Sequence, residues 1–364
     1  MNSYRITFMQ FAMLVHGTQV AASVLSLPRQ LAEIASTDGW ISILLAWLIN
    51  LLFSVLIVIV VRQYPEDTLP ELLERLFGGM ISKLVLAVVG LHFAFMFWAI
   101  FVATILYIKA WFLAMMPIPY ILLLVVIPAY NTARKQITYI ARYSEIMFFL
   151  TIWMAPILLI PLREGYLIHL LPVLKEGWGP IIQAIPTTTT GYLGFEIVFF
   201  AYPFLTRKDL AIQGILLGNT LTMLVYVFVT LVCFSFFSPD EITQYNQPIL
   251  NLLKVIEFRF LERFDIIFLG LYLFVISRSL VPNLYGASVS CAKLFGTKNH
   301  SSCTLVICIG TFLIAAWIKP SWLESLRYYQ WVGYTGMFIS YLLPVLLYLS
   351  IKIYQKLTPK EAFQ

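Results

Sequence analysis

Three ionisable side chains, Glu145, Glu196 and Arg278, fall within long apolar runs of the sequence, while Lys109 and Asp265 lie nearer to run ends. A charge at membrane depth is costly and turns inward, toward a partner or toward water. The expectation is therefore an ion pair between Arg278 and Glu145 or Glu196, with fold rigidity as its simplest role. Two clusters at similar depth mix small and polar residues: HGTQVAAS (residues 16–23, including Gly17) and TTTTGYLGFE (residues 187–196, including Thr190). A helix interrupted at such a place leaves N–H groups unpaired where its second half begins. Those groups, with the positive end of the helix dipole, favour an anion such as a carboxylate. The freed carbonyls and nearby hydroxyls suit an ammonium. Three other readings stand beside this one: a loop between spans, threonines bonding back to their own helix, and small residues that let helices approach closely.

Other chemistry finds little support. His16 and His92 are isolated, with no second ligand at helical spacing, so no metal site is expected, and no serine or threonine has a histidine and acid partner. The cysteines Cys233, Cys291, Cys303 and Cys308 lie in or beside apolar runs without CxxC spacing and read as buried thiols. Neither an enzyme nor a cofactor is expected.

The elements that position these groups follow from composition. The chain is 60% hydrophobic with a net charge of +6, and its basic residues sit at the ends of apolar runs instead of forming a stripe for nucleic acid. Membrane is the solvent. The first 23 residues imitate a signal peptide, but His16, Thr18 and Gln19 interrupt the apolar run, and a first span is the better reading. Runs of about 20 apolar residues fall at 7–34, 40–61, 82–111, 117–133, 140–161, 183–205, 211–237, 263–290, 302–319 and 331–353, which predicts an all-α integral membrane protein of ten helices. The connections holding Arg62, Arg75 and Lys83, or Arg134, Lys135 and Arg142, are richer in Lys and Arg than the alternate set, so both termini are expected in the cytoplasm. Residues 238–264 and 172–180 read as surface segments on the opposite side, able to cap a cavity or rest on headgroups. Read as five plus five, residues 7–161 and 183–353 place the two polar clusters in the first helix of each half. Matched interruptions of this kind point to an inverted-repeat carrier with its site at mid-membrane.

Local motifs then carry a resemblance over nearly the whole length: VLSLPRQLAEIASTDGW (24–40), YPEDTLPELLERLFG (64–78), ARYSEIM (141–147), LLPVLKEGWGPI (170–181) and GYLGFEIVFFAYPFL (191–205). In combination they resemble the B-subunit family of spore germinant receptors, within the amino acid–polyamine–organocation transporter superfamily. The resemblance implies a LeuT-like 5+5 fold in the spore inner membrane, beside a membrane-bound A-subunit and a C-subunit lipoprotein. It implies that a small nutrient, most often an amino acid, binds at mid-membrane and that its signal passes to the A-subunit to trigger germination. Carried over residue by residue, Ala21, Ala22 and Ser23 would present backbone amides to a carboxylate. Gly191, Tyr192, Leu193 and Gly194 would line the other side, with Gly17 and Thr190 at the edges and Glu196 anchoring the inner half-helix. Relatives often carry glycine where this chain has Ala21 and Ser23, which gives the backbone here less freedom. In that fold the spans bearing Glu145 and Arg278 flank the first interruption, where sodium-coupled carriers hold a cation, a place a fixed guanidinium would take.

Three functions compete on these grounds. A sensor subunit binds the nutrient without cycling it, a secondary active amino acid transporter moves it, and a structural subunit only supports an assembly. The ten-span length and the whole-length motifs favour the sensor. The polar interruptions weigh against a purely structural part, because freed backbone groups in a membrane must find partners.

Overall fold

The computed structural model of the chain describes residues 5–256, 263–297 and 299–357, and these residues are almost entirely helical. Seven stretches are long and apolar enough to cross a membrane, and Ile118–Ala133 and Phe195–Phe204 are shorter apolar helices. The protein is a multi-pass membrane protein.

α1 (Phe8–Gln19) opens with a capping box, in which Thr7 and Gln10 satisfy each other's backbone N–H groups. It stops at Val20, whose backbone is extended (φ −83°, ψ 105°), and α2 (Ser23–Ala35) begins three residues later. α3 (Gly39–Val61) and α4 (Leu69–Trp111) follow, and Gly78 at φ 72° kinks α4 nine residues after its start. The third run thus begins well before the expected residue 82. α5 (Ile118–Ala133) starts behind Pro117, and α6 (Ile137–Thr151) continues into two short turns, Met154–Ile157 and Leu159–Leu162.

In the second half, α7 (Trp178–Gly191) gives way to Gly194 at φ 118°, a left-handed position that favours glycine. The chain resumes through a 3-10 turn, Phe195–Ile197, into α8 (Val198–Ala201) and a second 3-10 turn, Tyr202–Phe204. α9 (Ala211–Phe236), α10 (Phe264–Leu294) and α11 (His300–Ile318) are continuous. α12 (Trp322–Met337) and α13 (Leu343–Leu357) are joined by a π-helical stretch, Phe338–Leu342.

α10 packs most extensively along α4, and α1 is surrounded by α6, α9 and α10. This encirclement explains why α1 is buried almost throughout although it carries His16, Thr18 and Gln19. A short parallel bridge ties the start of the chain to the end of the second interrupted helix: Ile6 N donates to Phe204 O (2.8 Å) and Thr206 N to Ile6 O (2.9 Å). On the opposite side, Asp38 accepts from Leu174 N and Lys175 N (3.1 and 3.2 Å), which pins the 172–180 segment to the start of α3. Within the 238–264 segment, Pro248–Leu253 forms a short helix. Ile249, Leu252, Leu253 and Ile256 are buried against protein instead of lying on headgroups. Residues 257–262 of that segment lie outside the described residues.

Candidate functional site

Both polar clusters contain an interruption, but each interruption is shorter than its cluster. In the sixth run the threonines do not unwind the helix; Thr188 and Thr190 bond back to it, as one of the alternative readings had it. Thr188 Oγ1 donates to Ala184 O and Thr190 Oγ1 to Pro186 O (both 3.0 Å), so hydroxyls bonded to the preceding turn accompany helix as far as Gly191. Only residues 192–194 depart from it. In the first run, Thr18 Oγ1 bonds back to Leu14 O and Val15 O (3.1 and 2.7 Å), and only residues 20–22 depart.

The two interruptions lie against each other. A Cβ added at Gly194 would sit 2.7 Å from Thr18 O, closer than real Cβ contacts come. Gln19 spans the joint, donating through Nε2 to Tyr192 O (2.9 Å) and Asn219 Oδ1 (2.8 Å) and accepting through Oε1 from Thr222 Oγ1 (2.7 Å). The Tyr226 hydroxyl lies 2.8 Å from Gly191 O, 3.2 Å from Gln19 O and 3.1 Å from Ser23 Oγ. From α10, Ser279 Oγ donates to Thr18 O (2.6 Å) and the Tyr272 hydroxyl to Ala21 O (2.7 Å). Side chains of α9 and α10 therefore satisfy most of the carbonyls that the interruptions free, as an apolar medium requires.

The N–H groups are treated differently on the two sides. Gly194 N donates to Glu196 Oε2 (2.6 Å), while the other oxygen of Glu196 accepts from Ser340 Oγ in the π-helical stretch. Glu196 thus closes its own interruption and ties it to the last span. α2 has no such closure. Leu25 N turns back on Ala22 O (3.2 Å), but no side chain caps the N–H groups ahead of it.

Arg278 does not pair with either carboxylate, which corrects the expected ion pair. Glu196 is turned to Gly194 and Ser340, and α6 meets the guanidinium with the Phe148 ring, 5.4 Å from Arg278 Cζ, while Glu145 stays half-buried. Among the described residues no carboxylate lies within ion-pair distance of Arg278, although it is only 2% exposed. Gly17 makes room for it, since a Cβ there would fall 2.9 Å from Arg278 Nε.

A cavity of about 390 Å³ adjoins the first interruption, between α1, α2, α6, α9 and α10. His16 and Arg278 contribute polar groups to its wall beside Phe148; Phe228, Phe268 and Val275 also line it, and Ile249 of the short outer helix belongs to it. Of the expected site residues only Arg278 lines it. Ala21, Ala22, Ser23 and Thr190 to Gly194 line the joint between the interruptions instead, where Thr190 meets Gly333 and Leu193 meets Gly336 of α12. Sequence reading placed Gln19 in the first cluster without giving it a role, and missed Asn219, Thr222, Tyr226, Tyr272 and Ser279. The stripe Asn219, Thr222, Tyr226, at helical spacing within an apolar run, was the signal that could have found three of them.

Facing interrupted helices held by continuous neighbours define a secondary-transporter fold. The chain superposes on a Na+-coupled sialic acid symporter in a substrate-bound outward-open state, with a TM-score of 0.61 and 14% identity over 93% of this chain and 80% of that one. It also superposes on Mhp1, a nucleobase-cation-symport-1 family transporter in a closed conformation with bromovinylhydantoin bound, with a TM-score of 0.59 and 13% identity over 86% and 72% of the two chains. A family model described as spore germination protein matches residues 5–321, and the chain belongs to that family. Spore germination protein A2 of Bacillus subtilis (strain 168) is 25% identical over 355 residues, 95% of each chain. Spore germination protein B2 of the same organism is 24% identical over 346 residues, 93% of each chain, and GerQB of Bacillus cereus is 24% identical over 187 residues, 51% of each. Family and fold neighbours alike are permease-like.

Proposed function

We propose that this chain is the nutrient-sensing subunit of a spore germinant receptor, with an amino acid as its ligand. In this reading residues 7–161 and 183–353 are inverted five-helix repeats of a ten-span unit in the spore inner membrane, with both termini cytoplasmic. The chain works beside a membrane-bound A-subunit and a C-subunit lipoprotein and passes the binding event to them. The observation that carries the reading is the face-to-face placement of the two interruptions, bridged by Gln19 and Tyr226. Such a joint exchanges protein hydrogen bonds for ligand hydrogen bonds with small backbone movements. The uncapped start of α2 favours a carboxylate at Ala21, Ala22 and Ser23, and Gly191 to Gly194 form the opposite wall, with Gly17 and Thr190 beside them.

Reconstitution into liposomes tests the reading, with the protein alone and with its A- and C-subunits, against a panel of labelled amino acids. Saturable binding without accumulation is expected. Absence of binding throughout the panel would sink the reading. Accumulation sustained by an ion gradient would replace it with a second one, a secondary active amino acid transporter, which the symporter fold of the neighbours favours.

A further inference from the structure

A void walled only by apolar side chains is stable empty and needs no occupant. The cavity beside the first interruption differs, because a guanidinium forms part of its wall. Arg278 carries five N–H donors. Its hydrogen bonding within the described residues comes down to one long contact, from Nη2 to Met13 O at 3.5 Å, and its buried Nε has no acceptor. A buried cation with open donors calls for an anion. The remaining wall is predominantly aromatic and aliphatic, so the anion must bring an apolar body with it. A volume of about 390 Å³ is at the small end of ligand pockets, which span roughly 300–1,000 Å³.

The geometry points to a small carboxylate with a branched or aromatic apolar body as the occupant. We propose that its carboxylate pairs with Arg278 and that its body lies along Phe148, Phe228, Phe268 and Val275. This rests on the nutrient-sensing reading and moves the ligand's carboxylate from the start of α2 to Arg278, since Ala21, Ala22 and Ser23 do not line the cavity. The carboxylate is required for binding at this place, and an α-ammonium group is not, because a second positive charge beside Arg278 gains nothing from it. Selectivity follows the body: leucine and phenylalanine bind more tightly than alanine, which leaves most of the apolar wall uncovered.

The test is equilibrium binding to the full-length purified protein in lipid nanodiscs, with L-leucine, leucinamide, 4-methylpentanoate and L-alanine as probes. Arg278→Gln, Arg278→Lys and Val225→Trp are compared with the wild-type chain, Val225 being a wall residue whose enlargement fills the cavity. The expected result is that L-leucine and 4-methylpentanoate bind and compete with each other, while leucinamide and L-alanine bind about tenfold more weakly or less well still. Arg278→Gln and Val225→Trp each lose about tenfold or more in affinity, and Arg278→Lys recovers part of the loss. L-leucine binding that ignores both Arg278→Gln and Val225→Trp, and that 4-methylpentanoate does not displace, overturns the assignment of the cavity and leaves the nutrient-sensing reading intact. Failure of every probe to bind the wild-type chain overturns the assignment of the cavity, and the nutrient-sensing reading is then decided by the full amino-acid panel. If Arg278→Gln does not fold, Val225→Trp decides, and wild-type affinity for L-leucine in that variant overturns the assignment.

Discussion

The two interrupted helices solve one physical problem in opposite ways. Where α7 gives out, the chain supplies its own acceptor: Glu196 turns back on Gly194 N and is held by Ser340. Where α1 gives out, the carbonyls are satisfied by Ser279, Tyr226 and Tyr272, but the amides that lead α2 receive no side-chain cap. The second interruption is a finished structural joint. The first is unfinished on its donor side, and the cavity lies against it. A mid-membrane interruption is therefore not in itself a binding site, since a nearby carboxylate can occupy the place that a ligand would take.

The contrast can be broken by substitution, followed by thermal unfolding of each variant in detergent. Gly194→Ala has the largest expected cost, about 3 kcal/mol or more, because it combines a left-handed backbone with a Cβ against Thr18 O. A Gly194→Ala variant as stable as the wild type would mean that the joint is loose. Glu196→Ala leaves the buried Gly194 N–H and the Ser340 hydroxyl without their acceptor and is expected to cost about 2 kcal/mol. Were it no more costly than changes at the first interruption, the two sides would not differ as described. Tyr226→Phe removes the hydroxyl that both interruptions share, for about 1 kcal/mol, and Ser279→Ala removes a single bond, for about 0.6 kcal/mol. Ser23→Ala sharpens the comparison at its small end, with less than about 0.5 kcal/mol expected for this half-buried hydroxyl.

The positions of both interruptions were legible because small and polar residues cluster at mid-span in corresponding places of the two halves. Their extent was not. A threonine bonded to its own preceding turn and a threonine freed by unwinding look identical in sequence, and only the Thr188 and Thr190 bonds distinguish them. The pairing of Arg278 was misread for a related reason: spacing places a charge on a helix but not the neighbour it meets, and the neighbour proved to be Phe148. Beyond Arg278 and His16 the cavity gave no sequence signal, since five elements contribute ordinary apolar residues to the rest of its wall. The small outer helix was legible in its apolar spacing, whereas its partner, protein instead of lipid, required the fold.

The Tyr226 hydroxyl carries one proton and stands between two backbone acceptors, Gln19 O in the first interrupted helix and Gly191 O in the second. A single O–H is thus shared between two carbonyls, and a bond directed fully at one weakens the other. A rotation about the phenolic C–O bond redirects the hydrogen bond from one helix to the other without moving the backbone. The two halves of the molecule thus compete for a single hydrogen atom, and a newcomer that brings a donor of its own ends the competition.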